Sequence, residues 1–257
     1  MERKLDNNPL ISVVMPAYNA QKFIEEAINS VIAQTYSNWE LIVIDDCSSD
    51  GTCKTAEGFA ASDLRIKLIK NEVNMNVAKT RNRGFDLCSG EYVALLDSDD
   101  VWYPEKLEKQ LKAALDSSAD VVYCSYEIID TENAKACNDF IVPETTDFDT
   151  ALYKSVISCS TVLLSKEIVG NYRFETDFYH EDLALWLKIL GDGYSAVGVT
   201  DVLAKYRLVQ GSRAYNKINS AIGRWKIYRD YLNLPLLKSI WAFAKYMVLG
   251  LKKYKSA

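Results

Sequence analysis

The sequence predicts an α/β protein with a mostly parallel, doubly wound central sheet, flanking helices and a helical C-terminal extension. Short apolar runs rich in β-branched residues alternate with segments of helical periodicity through the first half of the chain. Two acidic clusters, Asp45-Asp46 and Asp97 to Asp100, each follow one of these runs directly. This alternation is typical of strand–helix–strand units, whose parallel strands end at a common edge of the sheet.

The first half of the chain is predicted to hold four strand–helix pairs and a fifth strand. Pro16 is expected to end the first strand, and Asn19 to cap the helix that follows it. Pro104 suits the first turn of the fourth helix, because the N–H that proline lacks has no intrahelical partner there. The predicted strands are 10–15, 41–44, 65–70, 92–96 and 121–129, and the predicted helices are about 23–32, 52–60, 77–88 and 104–117.

The second half is less regular. Residues 131–149 are polar and acidic, which predicts a loop lying over the site. Further strands are predicted at 161–164, 194–199 and 202–208, and helices at 181–190, 212–231 and 236–254, the last two separated by a break around Pro235. We therefore expect one domain over residues 1–211 and a helical segment over residues 212–257.

Charge divides the chain close to this boundary, between residues 201 and 202. Residues 1–201 hold 18 basic and 34 acidic residues, a net charge of −16, whereas residues 202–257 hold 12 and 1, a net charge of +11. In the last predicted helix, Lys238, Lys245 and Lys252 recur at heptad spacing. The apolar residues predicted on the opposite face are Leu236, Ile240, Phe243, Met247, Leu251 and Tyr254. Such a helix is too short and too charged to span a bilayer, but it suits the interface of an anionic membrane; packing on the domain is the alternative.

Composition indicates a folded protein kept inside the cell. The chain is 49% hydrophobic and 25% charged, as globular proteins are. Its six cysteines show no C-x-x-C spacing and His180 is the only histidine, which argues against a zinc site and favours reduced thiols. Residues 1–9 are polar and lack the apolar core of a signal peptide, so we expect a cytoplasmic protein.

The acidic cluster that begins at Asp97 predicts a divalent-cation site. Crowded carboxylates repel one another unless a cation lies between them. Oxygen ligands from one or two Asp side chains suit Mg²⁺ or Mn²⁺ that keeps water and binds substrate phosphate. The alternative is that Asp97 begins a polar turn and that Asp99 or Asp100 caps the next helix. No G-x-G-x-x-G follows the first strand and no G-x-x-x-x-G-K-[ST] occurs, so metal and arginine are expected to hold the phosphates.

Several motifs in the right order make the chain resemble the family 2 glycosyltransferases of GT-A fold, a Rossmann-like architecture. The resemblance spans about residues 10–212. It rests on the opening strand and nucleotide loop (Ser12 to Asn19), a "DDxSxDGT" motif (Asp45 to Thr52), an "ARN"-like helix (Arg81-Asn82), a D-x-D (Asp97-Ser98-Asp99), an "ED…LWL" motif (Glu181-Asp182 with Leu185 to Leu187) and a loose "YRxHxxS" (Tyr206-Arg207 with Ser212).

This resemblance implies a role for each matching residue on the donor side. The side chains expected around a uracil base are Pro16, Ala17, Tyr18, Asp45 and Asp46. Arg81 would approach the diphosphate, Asp97 would lie near the ribose and donor sugar, and Asp99 would ligate the metal.

On the acceptor side, the resemblance implies that Asp182 is the general base and that Glu181 orients the acceptor or neighbouring groups. Further candidates for the site are Asp100, Trp102 and Arg207. Two positions depart from the family pattern. Asn76 replaces a usual Gly, which is tolerable if its backbone is left-handed, and Val209 replaces a frequent His, so any contact made by that His is missing here.

The resemblance also implies a function. It is metal-dependent, inverting transfer of a sugar from a nucleotide sugar, such as UDP-Glc, UDP-Gal or an N-acetylated form, to a hydroxyl of a glycan acceptor. The acceptor would be diphospholipid-linked and the pathway that of a bacterial surface polysaccharide such as O-antigen, with Mn²⁺ or Mg²⁺ as cofactor. We expect a location on the inner face of the cell membrane and no nucleic-acid partner. The alternatives are a nucleotidyltransferase, disfavoured because a Gly-rich basic loop is absent, and a non-catalytic membrane-bound scaffold.

Overall fold

The computed structural model describes residues 8–209 and 217–253, without the side chains of residues 217 and 250–253. The strands are β1 (Ile11–Ala17), β2 (Trp39–Asp45), β3 (Ile66–Lys70), β4 (Tyr92–Leu95), β5 (Val101–Trp102), β6 (Val121–Ile129), β7 (Thr145–Thr146), β8 (Leu163–Ser165) and β9 (Ala196–Arg207). The helices are α1 (Ile24–Ile32), α2 (Thr52–Ser62), α3 (Val77–Leu87), α4 (Lys106–Ser117), α5 (Phe148–Tyr153), α6 (Lys166–Asn171), α7 (Glu181–Gly191), α8 (Lys217–Lys226) and α9 (Leu236–Lys253). A turn of 3₁₀ helix (Cys159–Thr161) precedes β8, and a π-helical turn (Ile227–Tyr231) follows α8.

All the described strands belong to one mixed sheet, in the order β3-β2-β1-β4-β8-β6-β9-β5, with β7 paired to β9. The parallel pairings are long, whereas each antiparallel pairing joins only two or three residues of each strand. The predicted α/β fold with a mostly parallel sheet is confirmed.

Two hydrophobic clusters cover the two faces of this sheet. Along β1 every residue is buried, and alternate side chains enter different clusters. Val14 packs with residues of α3 and α7, while Val13 and Met15 pack with residues of α1 and α4. Burial on both faces explains why the central strands are continuous apolar runs rather than alternating ones.

The register brings the carboxyl ends of three strands together. Ala17, the last residue of β1, pairs with Asp45, the last of β2. Leu95 at the end of β4 pairs with Val14 of β1. The loops that leave these strands therefore emerge at one edge of the sheet, where ligands bind in folds of this type.

Pro16 does not end the first strand as predicted, since β1 continues to Ala17. Val14 accepts the Leu96 N–H on the β4 side, and Ala17 accepts the Asp46 N–H on the β2 side. Alternation of the peptide groups turns the nitrogen of Pro16 towards β4, beyond the last β1–β4 residue pair. Its missing N–H therefore removes no bond from the ladder.

The residues predicted as strands at 194–199 and 202–208 are mostly in a strand, but their division into two strands is wrong, because β9 is continuous through Thr200 and Asp201. Its pairing with β6 shifts register on either side of Ser125, so residues of β9 are left over opposite β6. Such bulges let a strand pass through polar residues that otherwise indicate a turn.

Residues 131–149 pack along the sheet rather than covering the cavity described below, which none of them lines. Phe140 forms an antiparallel bridge with Tyr126 and stacks on its ring at 5.0 Å. Thr145–Thr146 forms β7, and Phe148 already begins α5. The prediction of an irregular loop over the site is wrong at these points, because aromatic pairing and strand pairing order the segment.

The C-terminal helices share a hydrophobic core with the rest of the chain. Ile227, Tyr228, Leu234 and Ala242 lie in the same cluster as residues of α5 and α7. The boundary predicted between residues 211 and 212, and Ser212 itself, lie outside the described residues. Within residues 8–209 and 217–253, no helix combines the length and apolar character that crossing a membrane requires.

Candidate active site

A cleft of about 630 Å³ opens at the strand ends. Eight of the residues singled out in the sequence line it: Pro16, Ala17, Tyr18, Asp46, Arg81, Asp97, Asp99 and Glu181. Five others do not line it: Asp45, Asp100, Trp102, Asp182 and Arg207. The contacts of each group explain the division.

The loop after β1 is bound to the loop after β2 by backbone and polar side-chain contacts. The Asn19 N–H donates to Ser48 Oγ at 3.0 Å, and Asn19 Oδ1 accepts the Ser49 N–H at 2.9 Å. Asn19 has a positive φ of 49°, and its side chain does not cap α1, which begins at Ile24 with no side-chain cap. The predicted Asn19 cap is therefore wrong, because its carbonyl oxygen is already bound across the two loops.

Thr52 and Asp50 complete this connection between loops. Thr52 Oγ1 accepts the Ala20 N–H at 2.7 Å and donates to Asp50 Oδ1 at 2.5 Å. Asp50 also accepts the N–H groups of Gln21 and Thr52. Desolvation opposes its ionisation, but the hydrogen bonds from Thr52 and Gln21 lower the pKa of Asp50 below the ordinary value. The carboxylate thus stabilises the loop that follows β2.

Asp46 is the carboxylate of this motif that reaches the cleft, and its oxygens are already bound within the chain. Oδ1 accepts the amide of Asn71 at 2.6 Å and the N–H of Met75 at 2.9 Å, and Oδ2 accepts the N–H of Asn76 at 3.0 Å. Asp45 is turned inward, where Oδ2 accepts the Ser48 N–H at 3.1 Å. The acids of this motif therefore position backbone around the cleft.

Asn76, held by Asp46, starts helix α3. Its backbone has φ 75° and ψ 161°, so the positive φ expected from its replacement of Gly is present. Residues other than glycine rarely occupy that region, and occupying it costs about 1–3 kcal/mol. The Asn76 side chain accepts the Lys79 N–H at 3.2 Å and so caps the helix.

Gly84 lets α3 lie directly on the sheet and brings Arg81 to the strand ends. A Cβ at Gly84 would lie 2.3 Å from Val14 Cγ1, closer than atoms can approach. Arg81, one turn earlier and buried, donates from Nη1 to Glu181 Oε1 at 3.0 Å and from Nη2 to Asp97 Oδ1 at 2.6 Å. Burial opposes its charge, yet the carboxylates of Asp97 and Glu181 raise the pKa of Arg81 further. Arg81 thus joins α3, the end of β4 and α7 as a fixed positive charge.

The turn after β4 crowds three carboxylates. Burial and the charge of Asp97 raise the pKa of Asp99 to about 6. Burial and the charges of Asp99 and Asp97 raise the pKa of Asp100 as well. Asp97 is paired with Arg81, whereas no other described residue donates a hydrogen bond to the Asp99 carboxylate. Among the described residues, the Asp99 carboxylate therefore faces the cleft without a hydrogen bond from another residue.

Arg207 and Trp102 stabilise this turn from its buried side. The Arg207 N–H donates to Asp100 Oδ1 at 2.8 Å, and its Nε donates to the backbone oxygen of Asp99 at 2.7 Å. Trp102 Nε1 donates to the Ser160 carbonyl at 2.7 Å. Asp100, Trp102 and Arg207 are buried and bound to protein atoms, which is why they do not line the cleft.

Helix α7 begins beside Arg81 with Glu181 and Asp182. Glu181 lines the cleft and is bound to Arg81, while Asp182 is half-buried and accepts the Leu183 N–H at 2.7 Å. Burial and the charge of Glu181 raise the pKa of Asp182 above that of an ordinary carboxyl group. Burial lowers the pKa of His180, which shares a 2.8 Å hydrogen bond with Ser220 of α8. Of these three groups, Asp182 is the one whose pKa is raised above that of an ordinary carboxyl group and which is not bound to Arg81.

The carboxylates fit a divalent cation that takes few protein ligands. Within the described residues, no three His, Cys, Asp or Glu side chains converge as a complete metal site. Asp99, with Asp97 two residues away, offers oxygen and an uncompensated charge at the wall of the cleft. Mg²⁺ and Mn²⁺ suit this donor set, because they keep water and bind phosphate oxygen as further ligands.

Val209, at the position of the missing His, lines the cleft. Other lining residues were not indicated by the sequence, such as Phe23, Asn74, Thr176 and Phe178. Phe178 lies in an irregular segment and its ring lies tilted against that of Tyr231 with centroids 5.2 Å apart, a contact between residues 53 positions apart that no local pattern reports.

Comparisons with known proteins show the family of this chain. The model of glycosyl transferase family 2 matches residues 12–164. The UDP-Glc:alpha-D-GlcNAc-diphosphoundecaprenol beta-1,3-glucosyltransferase WfgD of Escherichia coli is 39% identical over 247 residues, covering 95% of this chain and 95% of WfgD. The chain belongs to glycosyl transferase family 2. The predicted family and the predicted glycosyltransferase activity are confirmed.

Solved structures agree on the fold of this family 2 glycosyltransferase. S. aureus TarS 1-349 in complex with UDP-GlcNAc superposes with a TM-score of 0.74 at 22% identity, covering 92% of this chain and 71% of that one. The mannosyltransferase PcManGT from Pyrobaculum calidifontis, in complex with GDP-Man and Mn²⁺, gives a TM-score of 0.71 at 18% identity, covering 97% and 76%. At these identities the likeness concerns the fold alone, and it confirms the predicted GT-A architecture.

Proposed function

We propose that this glycosyltransferase is metal-dependent and inverting, and that it moves a hexose from a UDP-sugar to a hydroxyl of a diphospholipid-linked glycan. The observation that carries the proposal is the cleft in which the uncompensated Asp99, the Arg81–Asp97 pair and the start of α7 meet. WfgD is named for the donor UDP-Glc and the acceptor GlcNAc-diphosphoundecaprenol, which supports these substrate classes.

The donor binds between the loops after β1 and β2 and the start of α3. Pro16, Ala17 and Tyr18 form the wall against which the base lies, and Tyr18 is half exposed and available to it. Asp46 shapes this subsite through the backbone of residues 75 and 76. Asp46 therefore contributes to the recognition of uracil mainly by positioning residues 75 and 76.

The diphosphate lies near Asp97, Asp99 and Arg81. A divalent cation held by Asp99 supplies compensation for charge on the leaving nucleoside diphosphate. Arg81 adds a fixed positive charge and holds Asp97 and Glu181 in place. Because Arg81 is hydrogen-bonded to both carboxylates, it acts on the diphosphate as a nearby charge. It also supports the positions of Asp97 and Glu181.

Asp182 takes the proton of the acceptor hydroxyl. Its raised pKa gives it more basicity than an ordinary carboxylate, whereas Glu181 is bound by Arg81. A base on one side of the sugar and a leaving group on the other favour a single displacement, which inverts the anomeric carbon. General-base catalysis of this kind contributes about 10²–10⁴-fold.

The test is release of UDP from a panel of UDP-sugars with Mn²⁺, Mg²⁺ or chelator, in the presence of GlcNAc-diphospholipid. We expect release with one UDP-sugar, dependent on the metal, and a β-linked product from an α-linked donor. A matched control is Asp182→Asn, which keeps the shape of the side chain. Absence of UDP release from every donor would contradict the proposal and favour a non-catalytic role, and retention of configuration would contradict the single displacement.

We further propose that the reaction takes place on the inner face of the cell membrane, where a lipid-linked acceptor is anchored. The net charge of +11 over residues 202–257 supports this location, because anionic lipid attracts basic segments.

A further inference from the structure

Helix α9 has three distinct faces along its length. At about 100° per residue, Leu236, Leu237, Ile240, Trp241, Ala244, Met247 and Val248 fall within an arc of about 140°. A second arc holds Ser239, Ala242, Phe243 and Tyr246, and a narrow edge between the two holds Lys238 and Lys245. This pattern is typical of a helix whose faces contact two different environments.

The second arc packs on the domain. Ser239 and Ala242 are fully buried. Phe243 meets Trp225 edge-to-face with ring centroids 5.5 Å apart, and Tyr246 lies under the Arg224 guanidinium at 4.2 Å. The orientation of α9 about its own axis is therefore fixed by contacts with α8 and the core.

The lysine edge is also engaged within the chain. Lys238 forms a salt bridge with Asp149 at 2.6 Å. The Lys245 ammonium lies 4.5 Å from the centroid of the Tyr153 ring and 4.0 Å from that of Trp241. The predicted amphipathic pattern is thus altered, because these lysines face α5 and Phe243 belongs to the packed face.

The remaining arc is apolar and open to solvent. Leu237 is 82% exposed, Leu236 54% and Val248 51%. Ile240, Trp241 and Met247 are each more than 40% exposed. Single exposed apolar residues are ordinary, but a continuous row along one helix indicates a binding surface.

We propose that this apolar arc of α9 inserts into the interface of an anionic lipid bilayer, and that apolar burial rather than Lys238 and Lys245 provides the anchoring. The inference rests on the proposed function, since a lipid-linked acceptor requires the enzyme at a bilayer surface. Charge complementarity selects lipid over a second copy of the chain: α9 itself holds Lys238, Lys245, Lys252 and Lys253 and no acidic residue, and self-association would bring those charges together.

The arc is coupled structurally to the acceptor side of the cleft. Phe178, which lines the cleft, contacts the ring of Tyr231 shortly before α9 begins. His180, next to Glu181, is hydrogen-bonded to Ser220 of α8. Seating α9 on a bilayer therefore orients the cleft wall that receives the acceptor relative to the lipid surface.

The test uses substitutions on the exposed arc of the full chain, because removing α9 would also remove Ala242 and Phe243 from the core. The charge-adding variant is Leu237→Glu/Val248→Glu, and the neutral variant is Leu237→Gln/Val248→Gln. The matched control is Leu64→Glu/Leu115→Glu, at two exposed leucines, of which Leu64 is 96% exposed, on other elements. Binding is measured by co-sedimentation with phosphatidylglycerol-containing and with pure phosphatidylcholine vesicles, together with thermal melting and sedimentation velocity.

We expect both arc variants to bind anionic vesicles at least 10-fold more weakly than the wild type, at unchanged melting temperature, and the control to bind within about 2-fold. Binding of the wild type is expected to persist at about 0.5 M salt, where surface electrostatics are screened. Wild-type binding by both arc variants would overturn the proposal, as would a loss of dimers in these variants with vesicle binding unchanged. UDP release with a short soluble acceptor separates the two hypotheses, because failure there contradicts the proposed function while the vesicle result stands.

Discussion

The two acidic segments that follow β2 and β4 have similar compositions and opposite electrostatics. In residues 45–52 the carboxylates accept hydrogen bonds from backbone and side-chain N–H groups: Asp46 from three donors, and Asp50 from Gln21 and Thr52. In residues 97–100 the carboxylates face one another, and the pKa of Asp99 rises to about 6. The difference teaches that hydrogen-bond donors, rather than the number of acids, distinguish the two clusters: among the described residues Asp99 accepts no hydrogen bond from another residue, and its cluster is the one proposed to bind a cation.

The same contrast separates stability from function. A carboxylate saturated by N–H groups stabilises the fold, and removing its charge is expected to cost stability. A carboxylate crowded by its neighbours destabilises the metal-free fold and is tolerated where it serves a ligand. Isosteric Asp-to-Asn substitutions in the two segments should therefore have effects of opposite sign.

The largest expected effect is that of Asp99→Asn on catalysis. Loss of a metal ligand removes several kcal/mol of charge stabilisation, so we expect transfer to fall by about 10³-fold or more. In chelator, the same variant should unfold at an equal or higher temperature, because a crowded charge is gone. Initial rates across a Mn²⁺ titration and thermal melting of the same samples measure both effects. Near-normal transfer, or clear destabilisation, would place Asp99 with the saturated carboxylates instead.

Asp182→Asn is expected to be next, with a fall in turnover of about 10²-fold or more and little change in donor affinity measured by calorimetry. The base acts only when deprotonated, so wild-type kcat/KM should fall as the pH drops through its pKa. Burial and the charge of Glu181 hold that pKa above the ordinary 3.8. Lost donor affinity in the variant would assign Asp182 to binding or structure.

Glu181→Gln provides the control for this assignment. It removes the charge that raises the pKa of Asp182, so the acid limb of the kcat/KM profile should move to lower pH. An acid limb that disappears in Glu181→Gln and survives in Asp182→Asn would make Glu181 the base.

In residues 45–52, the saturated segment whose carboxylates accept several hydrogen bonds, Asp46→Asn should destabilise the protein by about 1–3 kcal/mol. An amide N–H would replace an oxygen that accepts buried N–H groups. Denaturant unfolding measures the change. Ser62, an exposed helical residue away from the cleft, offers a control: Ser62→Ala is expected to change stability by less than about 0.5 kcal/mol. An Asp46→Asn variant as stable as the wild type would remove the distinction between the two segments.

The sequence predicted what depends on local pattern and missed what depends on contacts across the chain. Continuous apolar runs identified β1, β2 and β4, because strands buried on both faces need no alternation. The Arg81–Glu181 pair joins residues 100 positions apart, and no local signal reports it. The motif around Asp46 was recognised by resemblance. Its hydrogen-bond partners at residues 71, 75 and 76 depend on how the chain folds at the start of α3, which no local pattern in the motif reports.

Asn76 provides the smallest and most local test of the saturated segment. Asp46 holds its N–H in a backbone conformation, φ 75° and ψ 161°, that suits glycine, while its side chain caps α3. Asn76→Gly removes strain of about 1–3 kcal/mol. The same substitution lowers the free energy of unfolding by a few tenths of a kcal/mol because the cap is lost, and by about 0.5–1 kcal/mol because glycine makes the unfolded chain more flexible. We therefore expect a net gain of about 1 kcal/mol, or a rise of about 2–4 °C in Tm. Asn76→Ala keeps the strain and loses the cap, so it should melt below the wild type. Equal melting temperatures for Asn76→Ala and Asn76→Gly would mean that the backbone at residue 76 carries no strain. The hydrogen bonds from Asp46 would then not be needed to hold that conformation.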